Sequence, residues 1–402
     1  MQTPNLIRSV DQSTLRVILE AHARYRSGVP GGRRASLAYF DLTKFNLEGI
    51  DLSDADLSGA RLNAALLGGA KLDRAILFGA DMRDADLRRA SLNRADLRGA
   101  CLRGANLSGA ELVGCDLREG MIALQDAKNG YRLLKHEKKA GELDYAILSG
   151  ANLQGAQMSG TFAQAADFRD ANLTGAVLSG SKLRSARLDG ADLSNVNFAA
   201  ADLTGASLKG AVVSGANIEQ ALTDRTDLSD LLRAPPASVF IDDLPLDQIL
   251  ADHERWCATG GLGGKAARIP QVDFRTLRTL AKRQLTALHA PGGVFYGLNL
   301  SDAQLQGSDL TGADLRGCDL RNADLRGARL SGARLVRADL RGAKLGPLQI
   351  AEGRMVRADL TRANLRHADL RGADLNRARL IEADLGDAKT VAVELERAEL
   401  AA

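Results

Sequence analysis

Residues 95–117 read ADLRGACLRGANLSGAELVGCDL. Every fifth residue is leucine, and the residue two before each leucine is alanine, or cysteine at the last step. The same beat runs from Leu37 to Leu117, where the seventeen centres are leucine except for Met82. Phe40, Phe45, Ile50 and Cys115 are the only departures from alanine two positions earlier. The pattern returns from Leu143 to about Leu228, shifted by one residue, and from about Leu300 to Leu400 in a third phase.

A period of five fits neither a helix, at 3.6, nor a flat strand, at 2. It fits a strand that turns a corner every five residues. The alanine and the leucine are two apart, so in extended chain they face the same side. The Asp or Asn between them faces out. The last two residues, often Ser-Gly or Arg-Gly, make the corner. One coil buries too little to stand alone, so successive coils must stack to make a core.

The runs at 95–117 and at 358–375, ADLTRANLRHADLRGADL, closely resemble the pentapeptide-repeat family. The resemblance implies an all-β solenoid: a right-handed quadrilateral parallel β-helix with four repeats per coil. On that geometry the first two blocks make about eight coils and the third about five, stacked roughly 4.8 Å apart. Cys115 and Cys318 take the small inward position and read as substitutes for alanine.

Composition excludes several classes. With 53 Lys and Arg against 50 Asp and Glu, the net charge is +3, which favours neither a nucleic-acid binder nor an acidic mimic of one. No apolar run approaches the roughly 20 residues that cross a bilayer, so no membrane role is expected. The four cysteines are scattered without CxxC spacing, which points to a reducing, cytoplasmic setting and against zinc or disulfides.

The non-repeat segments divide the chain. Residues 1–34 read as a helical cap, with apolar positions 15, 18, 19, 22 and 25 on one face and Ser13 able to cap it. Solenoid follows at 35–120 and again at 143–230, with a basic helical insertion at 121–142 between them. Residues 231–293 read as a linker at Pro235-Pro236 and a second helical cap. That cap holds one helix near 246–258 and another near 275–289. A second solenoid occupies 294–402. The two caps are near copies: Leu15, Ile18, Leu19, His22, Arg24 and Tyr25 match Leu246, Ile249, Leu250, His253, Arg255 and Trp256. Gly31-Gly32-Arg33 matches Gly263-Gly264-Lys265 after one inserted residue. A helix followed by glycines and then Ala-x-Leu also resembles the leader before many proteobacterial blocks of this family.

Catalysis has little support. The glycines at 260–264 resemble a phosphate loop, but Thr259 stands where its first glycine belongs and Ala266 where its Ser or Thr belongs. They read as a flexible helix end instead. His22 and His253 each stand alone on an apolar face, without a second histidine at i+4, and read as packed residues with one backbone hydrogen bond. Tyr25 and Trp256 read as anchors that dock each helix on an open coil end. No enzyme activity, cofactor or metal is expected.

At twenty residues per coil, Arg337, Arg357, Arg377 and Arg397 stack in a column, with Arg334 and Arg354 beside it. Asp319, Asp339 and Asp359 form another column. The third block holds 17 basic and 16 acidic residues, so a solvated, mutually balanced face is the expected reading of the arginines. An anion-binding or nucleic-acid strip is the alternative. The function expected is a non-enzymatic scaffold presenting rigid faces to a protein partner. The resemblance adds a second possibility, since some members of the family mimic DNA and bind DNA gyrase. A weak homodimer through the C-terminal coil is also expected.

Overall fold

One five-residue unit contains the whole fold in miniature. In Ala55-Asp56-Leu57-Ser58-Gly59, Ala55 and Leu57 are fully buried. The Ala60 amide donates to the Leu57 carbonyl at 3.0 Å and closes the corner. Gly59 takes the corner position at φ 60, where glycine bears no steric cost. Asp56 faces out, and its Oδ1 accepts the Ser58 amide at 3.0 Å, a local bond that fixes the turn. Leu57 donates its amide to Ile76 of the next rung (2.7 Å), and Asp56 donates to Ala35 of the preceding one (3.0 Å). The central and first residues thus fill the core while the backbone bonds the neighbouring rungs.

The computed structural model describes residues 7–126, 133–393 and 398–400. The chain divides into two compact units, Met1–Ala234 and Pro235–Ala402. In the first, β1 (Arg8–Ser9) and α1 (Gln12–Arg26) precede the rungs. β1 pairs in parallel with β2 (Phe40–Asp41) on the first rung. Asp51, Lys71, Ser91, Glu111, Asn152, Asn172, Asp192, Val212 and Leu232 then stack in one column, which gives nine rungs among the described residues of this unit where about eight are expected.

The step from Cys101 to Glu142 is 41 residues instead of twenty, because β3 (Gly120–Asp126) and β4 (Leu133–Lys139) leave the solenoid as an antiparallel hairpin. The helix expected at 121–142 is therefore a hairpin. Asn129-Gly130 lies between its strands in sequence, and that dipeptide is a strong hairpin signal.

The second unit opens with β5 (Phe240–Ile241) and β6 (Leu244–Pro245), an antiparallel pair, followed by α2 (Leu246–Ala258). Arg268, His289, Asp309, Arg329, Asp359, Arg379 and Glu399 then stack in one column of seven rungs. Five are expected, and the difference lies in residues 267–293. The helix expected at 275–289 is solenoid: Leu280 and Leu285 are fully buried centres five apart. One extra residue lengthens this first rung, since Arg268 pairs with His289 and Asp273 with Val294, 21 residues on. Leu277, Leu280 and Leu288 share a helical spacing that masks the five-residue beat.

A second hairpin, β7 (Leu348–Ala351) with β8 (Arg354–Val356), leaves the solenoid between Leu345 and Ala358. It makes Arg329 pair with Asp359, thirty residues on. Leu348 at its base packs on Gly327, where a Cβ would stand 2.8 Å from the Leu348 Cβ. The last parallel pair, β9 (Arg379–Leu380) with β10 (Glu399–Leu400), ends the described chain.

The core is continuous within each unit and is built of stacked Leu and Ala, with Phe168 and Phe198 in the first unit and Phe274 stacked on Phe295 at 4.1 Å in the second. Cys115 and Cys318 are fully buried in alanine positions, and burial pushes the Cys115 thiol up to about 12. Leu92→Ala is expected to destabilise the first unit by about 2–5 kcal/mol, the cost of a core cavity, read as a lower urea midpoint. Lys71→Ala, on the outer face, should leave the midpoint within about 0.5 kcal/mol of wild type.

Candidate functional site: capped ends and charged faces

A stacked coil leaves the outermost backbone groups of its first rung without partners, and both units solve this in the same way. The Ala35 amide, at the start of the first rung, donates to the Nδ1 of His22 at 3.1 Å. The Ala267 amide donates to the Nδ1 of His253, also at 3.1 Å. Both rings are fully buried. Each lies in a helix whose other buried residues face the coil: Leu15 in α1, and Leu246 and Leu250 in α2.

The glycine pairs belong to the same device. Arg33 donates its amide back to Ala21 (3.0 Å) and Lys265 to Asp252 (3.3 Å). The chain passes so close to the helix there that a Cβ on Gly32 would stand 2.3 Å from the Tyr25 nitrogen. On Gly264 it would stand 2.2 Å from the Asp252 carbonyl oxygen. Close approach explains the glycines without a phosphate.

Tyr25 and Trp256 stack on the histidines, with centroids 5.8 and 5.6 Å apart. Tyr25 is 43% exposed, so it covers the imidazole and the histidine itself meets the coil. The helix start also differs from expectation: Asp11 caps α1 by accepting the Thr14 amide at 2.7 Å, and Ser13 donates to that same carboxylate. The Asp11 carboxylate reaches the amide three residues on, as an N-cap must.

An imidazole that accepts an amide through Nδ1 carries its proton on Nε2 and is neutral. Protonating Nδ1 would set donor against donor. Burial lowers the pKa of both rings below the ordinary 6.5. Around His22, Asp51, Asp54 and the Ser53 carbonyl oppose that shift and Arg26 adds to it. Around His253, the carbonyls of Leu285 and Thr286 and the Glu254 carboxylate oppose it. The Cys257 sulfur lies 3.7 Å from the His253 Nε2. In the second unit Arg283 ties α2 to the first rung, forking Glu254 at 3.1 and 2.9 Å and reaching Asp247 at 2.6 Å.

The outer faces carry a second recurring device. Wherever the unit reads Asp-Leu-Arg, the arginine turns back and forks the carboxylate two residues before it. Arg321 holds Asp319 at 2.8 and 2.7 Å, Arg341 holds Asp339 at 2.9 and 2.6 Å, and Arg371 holds Asp369 at 2.9 and 2.7 Å. These three units stack on one face, and Arg321 and Arg341 each reach the next rung's carboxylate at 3.8 and 3.9 Å. The most enclosed pair is Arg316 with Asp314, both buried. Burial alone would raise the Asp314 pKa, but the Arg316 fork and the Arg334 charge more than offset it and hold it low.

The thirty-residue step at the second hairpin dismantles the expected arginine column. The Arg337 amide bonds to Arg366, which places Arg337 beneath His367 and Asp387. Burial, reinforced by Arg337 and Arg366, pushes the His367 pKa down to about 4. Arg354 lies in the exposed β8, Arg357 follows it, and Arg377 occupies a corner of another column. Arg334 stands over Asn364 and lies 3.9 Å from Asp314. Arg397 lies outside the described residues, as do 394–396 of the coil expected to dimerise. Asp319 and Asp339 are followed by Asp369, and Asp359 falls instead in the alternating column His289, Asp309, Arg329, Asp359, Arg379. In that column Asp309 bonds Arg329 at 2.5 Å and His289 at 3.2 Å. Asp359 therefore sits between two arginines, while Asp319, Asp339 and Asp369 still stack as like charges, each held by its own arginine.

Among the described residues, no group of His, Cys, Asp and Glu could hold a metal ion, and no helix is long and apolar enough to cross a membrane.

Comparison with known proteins follows the same lines. A family model described as pentapeptide repeats matches residues 33–119, 146–220, 299–346 and 354–389, more than half of the chain. No curated protein sequence matches. Among solved structures, the chain is similar to a pentapeptide repeat protein, Rfr23, from the cyanobacterium Cyanothece 51142. The identity is 27% over 33% of this chain and 85% of that one, with a TM-score of 0.24. It is similar to HetL, a pentapeptide repeat protein involved in heterocyst differentiation regulation in Nostoc, at 21% identity over 97% and 94% of the two chains, with a TM-score of 0.15. It is also similar to QnrB1, a plasmid-mediated fluoroquinolone resistance protein, at 17% identity over 50% and 91%, with a TM-score of 0.27.

The histidine caps carry a definite pH dependence. Because the folded-state pKa lies below 6.5, their contribution is complete above the unfolded value and is lost as the pH falls through it towards the folded one. Trp256 is the single tryptophan and stacks on His253, so its fluorescence reports the second cap. The thermal midpoint read by Trp256 should be flat above about pH 7 and fall below about pH 6.5. His253→Gln should remove that fall relative to wild type, at a constant loss of stability.

Proposed function

Since the chain belongs to the pentapeptide-repeat family, whose members are generally non-enzymatic structural or interaction proteins, we propose that it is a scaffold whose solenoid faces bind a protein partner. The observation that carries this reading is the row of Arg321, Arg341 and Arg371. Each guanidinium spends its Nε and one terminal nitrogen on its own aspartate. A guanidinium has five N–H donors, so each keeps others for a partner's acceptors. The side chains are already ordered, which lowers the entropic cost of docking. The Leu and Ala core leaves the interior filled, so recognition falls to the outside. The cytoplasm, with its reducing conditions, suits four free cysteines.

The same forks weigh against mimicry of DNA. A mimic needs an uninterrupted acidic stripe, and here Asp96, Asp116, Asp167, Asp319, Asp324, Asp339 and Asp369 are each neutralised by the arginine two residues on. The nucleic-acid strip loses its footing with the arginine column on which it stood.

Affinity capture with the full chain from an extract of its native host tests the proposal. A stoichiometric partner should be retained by wild type and weakened at least tenfold by Arg321→Ala, Arg341→Ala and Arg371→Ala together. No specific partner, or one indifferent to reversal of charge on every solenoid face, would count against it. In a gyrase supercoiling assay with a poison present, the chain should give no protection at excess.

A further inference from the structure

We propose that the cleft beneath α2 is a docking groove for an extended peptide of a partner protein, taken in as an added β-strand. The inference rests on the scaffold reading and gives it a site. The cleft has a volume of about 330 Å³ and lies between α2, the β5–β6 hairpin and the first strand of the second solenoid. Ile241, Leu244, Ile249 and Ile269 give it an apolar lining, and Lys265 and Arg268 stand beside them. Ile269 is buried, whereas Leu244 is 44% exposed, and Phe240 on the same hairpin is 61% exposed. Large apolar side chains left in water beside a concavity mark an interaction surface.

The backbone specifies what kind of partner. Ile269 donates its amide to His289 at 2.8 Å, and His289 donates to Ala267 at 3.2 Å. Successive amides of a strand alternate in direction, so the N–H and C=O of Arg268 point the other way, away from the next rung. Among the described residues neither makes a hydrogen bond. A donor and an acceptor on one residue at a strand edge match the main chain of an extended peptide.

The first unit shows the chain adding a strand of its own to a first-rung edge, at Phe40 and Asp41 and not at Ser36, the counterpart of Arg268. There β1 lies parallel to β2, with the Arg8 amide donating to Tyr39 at 2.8 Å, and covers part of the first rung's edge. In the second unit the segment before the helix takes another course. At Asp242 and Asp243, with φ of 49 and 64, it doubles back and β5 pairs with β6 instead. The segment that could have covered the rung forms one wall of the cleft.

Charge refines the ligand. Lys265 and Arg268 form no ion pair among the described residues, while Asp252 is held by Arg255. Asp242 remains as the opposing carboxylate on the hairpin side. The peptide that fits carries a large aliphatic side chain for the cleft and an acidic residue within two positions of it, on the Lys265 side.

A library of random dodecapeptides displayed on phage and panned on the full chain supplies the probes. Synthetic copies of the selected peptides are then titrated by fluorescence anisotropy. The selected sequences should share an aliphatic residue near an acidic one. Lys265→Glu with Arg268→Glu, both exposed, should weaken binding at least tenfold, and Ile249→Lys should abolish it. Trp256 fluorescence and the thermal midpoint serve to show that each variant is folded. Methylating the peptide's backbone nitrogens one at a time should abolish binding at one or two positions only, which a purely side-chain contact would not do. The groove is overturned if no peptide is selected, if the charge-reversed chain binds as tightly as wild type, or if the methylation scan is flat. A protein partner captured from extract that survives Ile249→Lys would leave the scaffold reading standing while the groove falls.

Discussion

The structure depends on the bond each rung makes with the next. Within each stack the central leucines send their amides up one rung and the outward residues send theirs down one, as Leu57 and Asp56 do. The ladder demands that side chains keep their five-residue phase and says nothing about how much chain intervenes. Insertions are therefore free at a corner. The first hairpin adds 21 residues to a rung of twenty and the second adds ten, and in both cases the next rung resumes on the correct side. The ladder, and not the count of residues, decides which charges become neighbours.

A ladder also has ends, and there the same bonds become a liability. The helix that covers each first rung gives up an imidazole nitrogen to the leading alanine amide. Burying that ring is tolerable only while it is neutral, which ties the integrity of each cap to the acidity of the medium. The two caps share the histidine, the stacked aromatic ring and the close glycine, but they differ in how the approach strand is used. In the second unit that strand walls the cleft beside the bare rung edge at Arg268.

Much of this is legible in the residues alone. Five-residue spacing with paired Ala and Leu leads directly to a stacked solenoid, and the matching of His22 with His253 and of Gly32 with Gly264 reveals the duplicated cap. The helix at 246–258 is legible from its apolar face. Other features are hidden for physical reasons. Leu280 and Leu285 fit the solenoid beat, but Leu277 and Leu288 supply a competing helical spacing. At 121–142 the basic amphipathic run outweighs Asn129-Gly130. The neighbours of Arg337 cannot be found by counting in twenties, because the ten extra residues between Leu345 and Ala358 have to be recognised as a hairpin first. The cleft has no signature in the sequence at all: it arises from the path of the chain between Val239 and Leu246.

The central claim is that register follows the ladder across the second hairpin, since the charged faces and their partners depend on it. It is tested by crosslinking pairs of introduced cysteines in a background carrying Cys257→Ser. Neighbouring rungs lie about 4.8 Å apart, so a short thiol crosslinker joins only true neighbours. Arg329→Cys with Asp359→Cys should crosslink rapidly, and Arg329→Cys with Gln349→Cys should not. Efficient crosslinking of 329 to 349, with none between 329 and 359, would contradict the register and every face built on it.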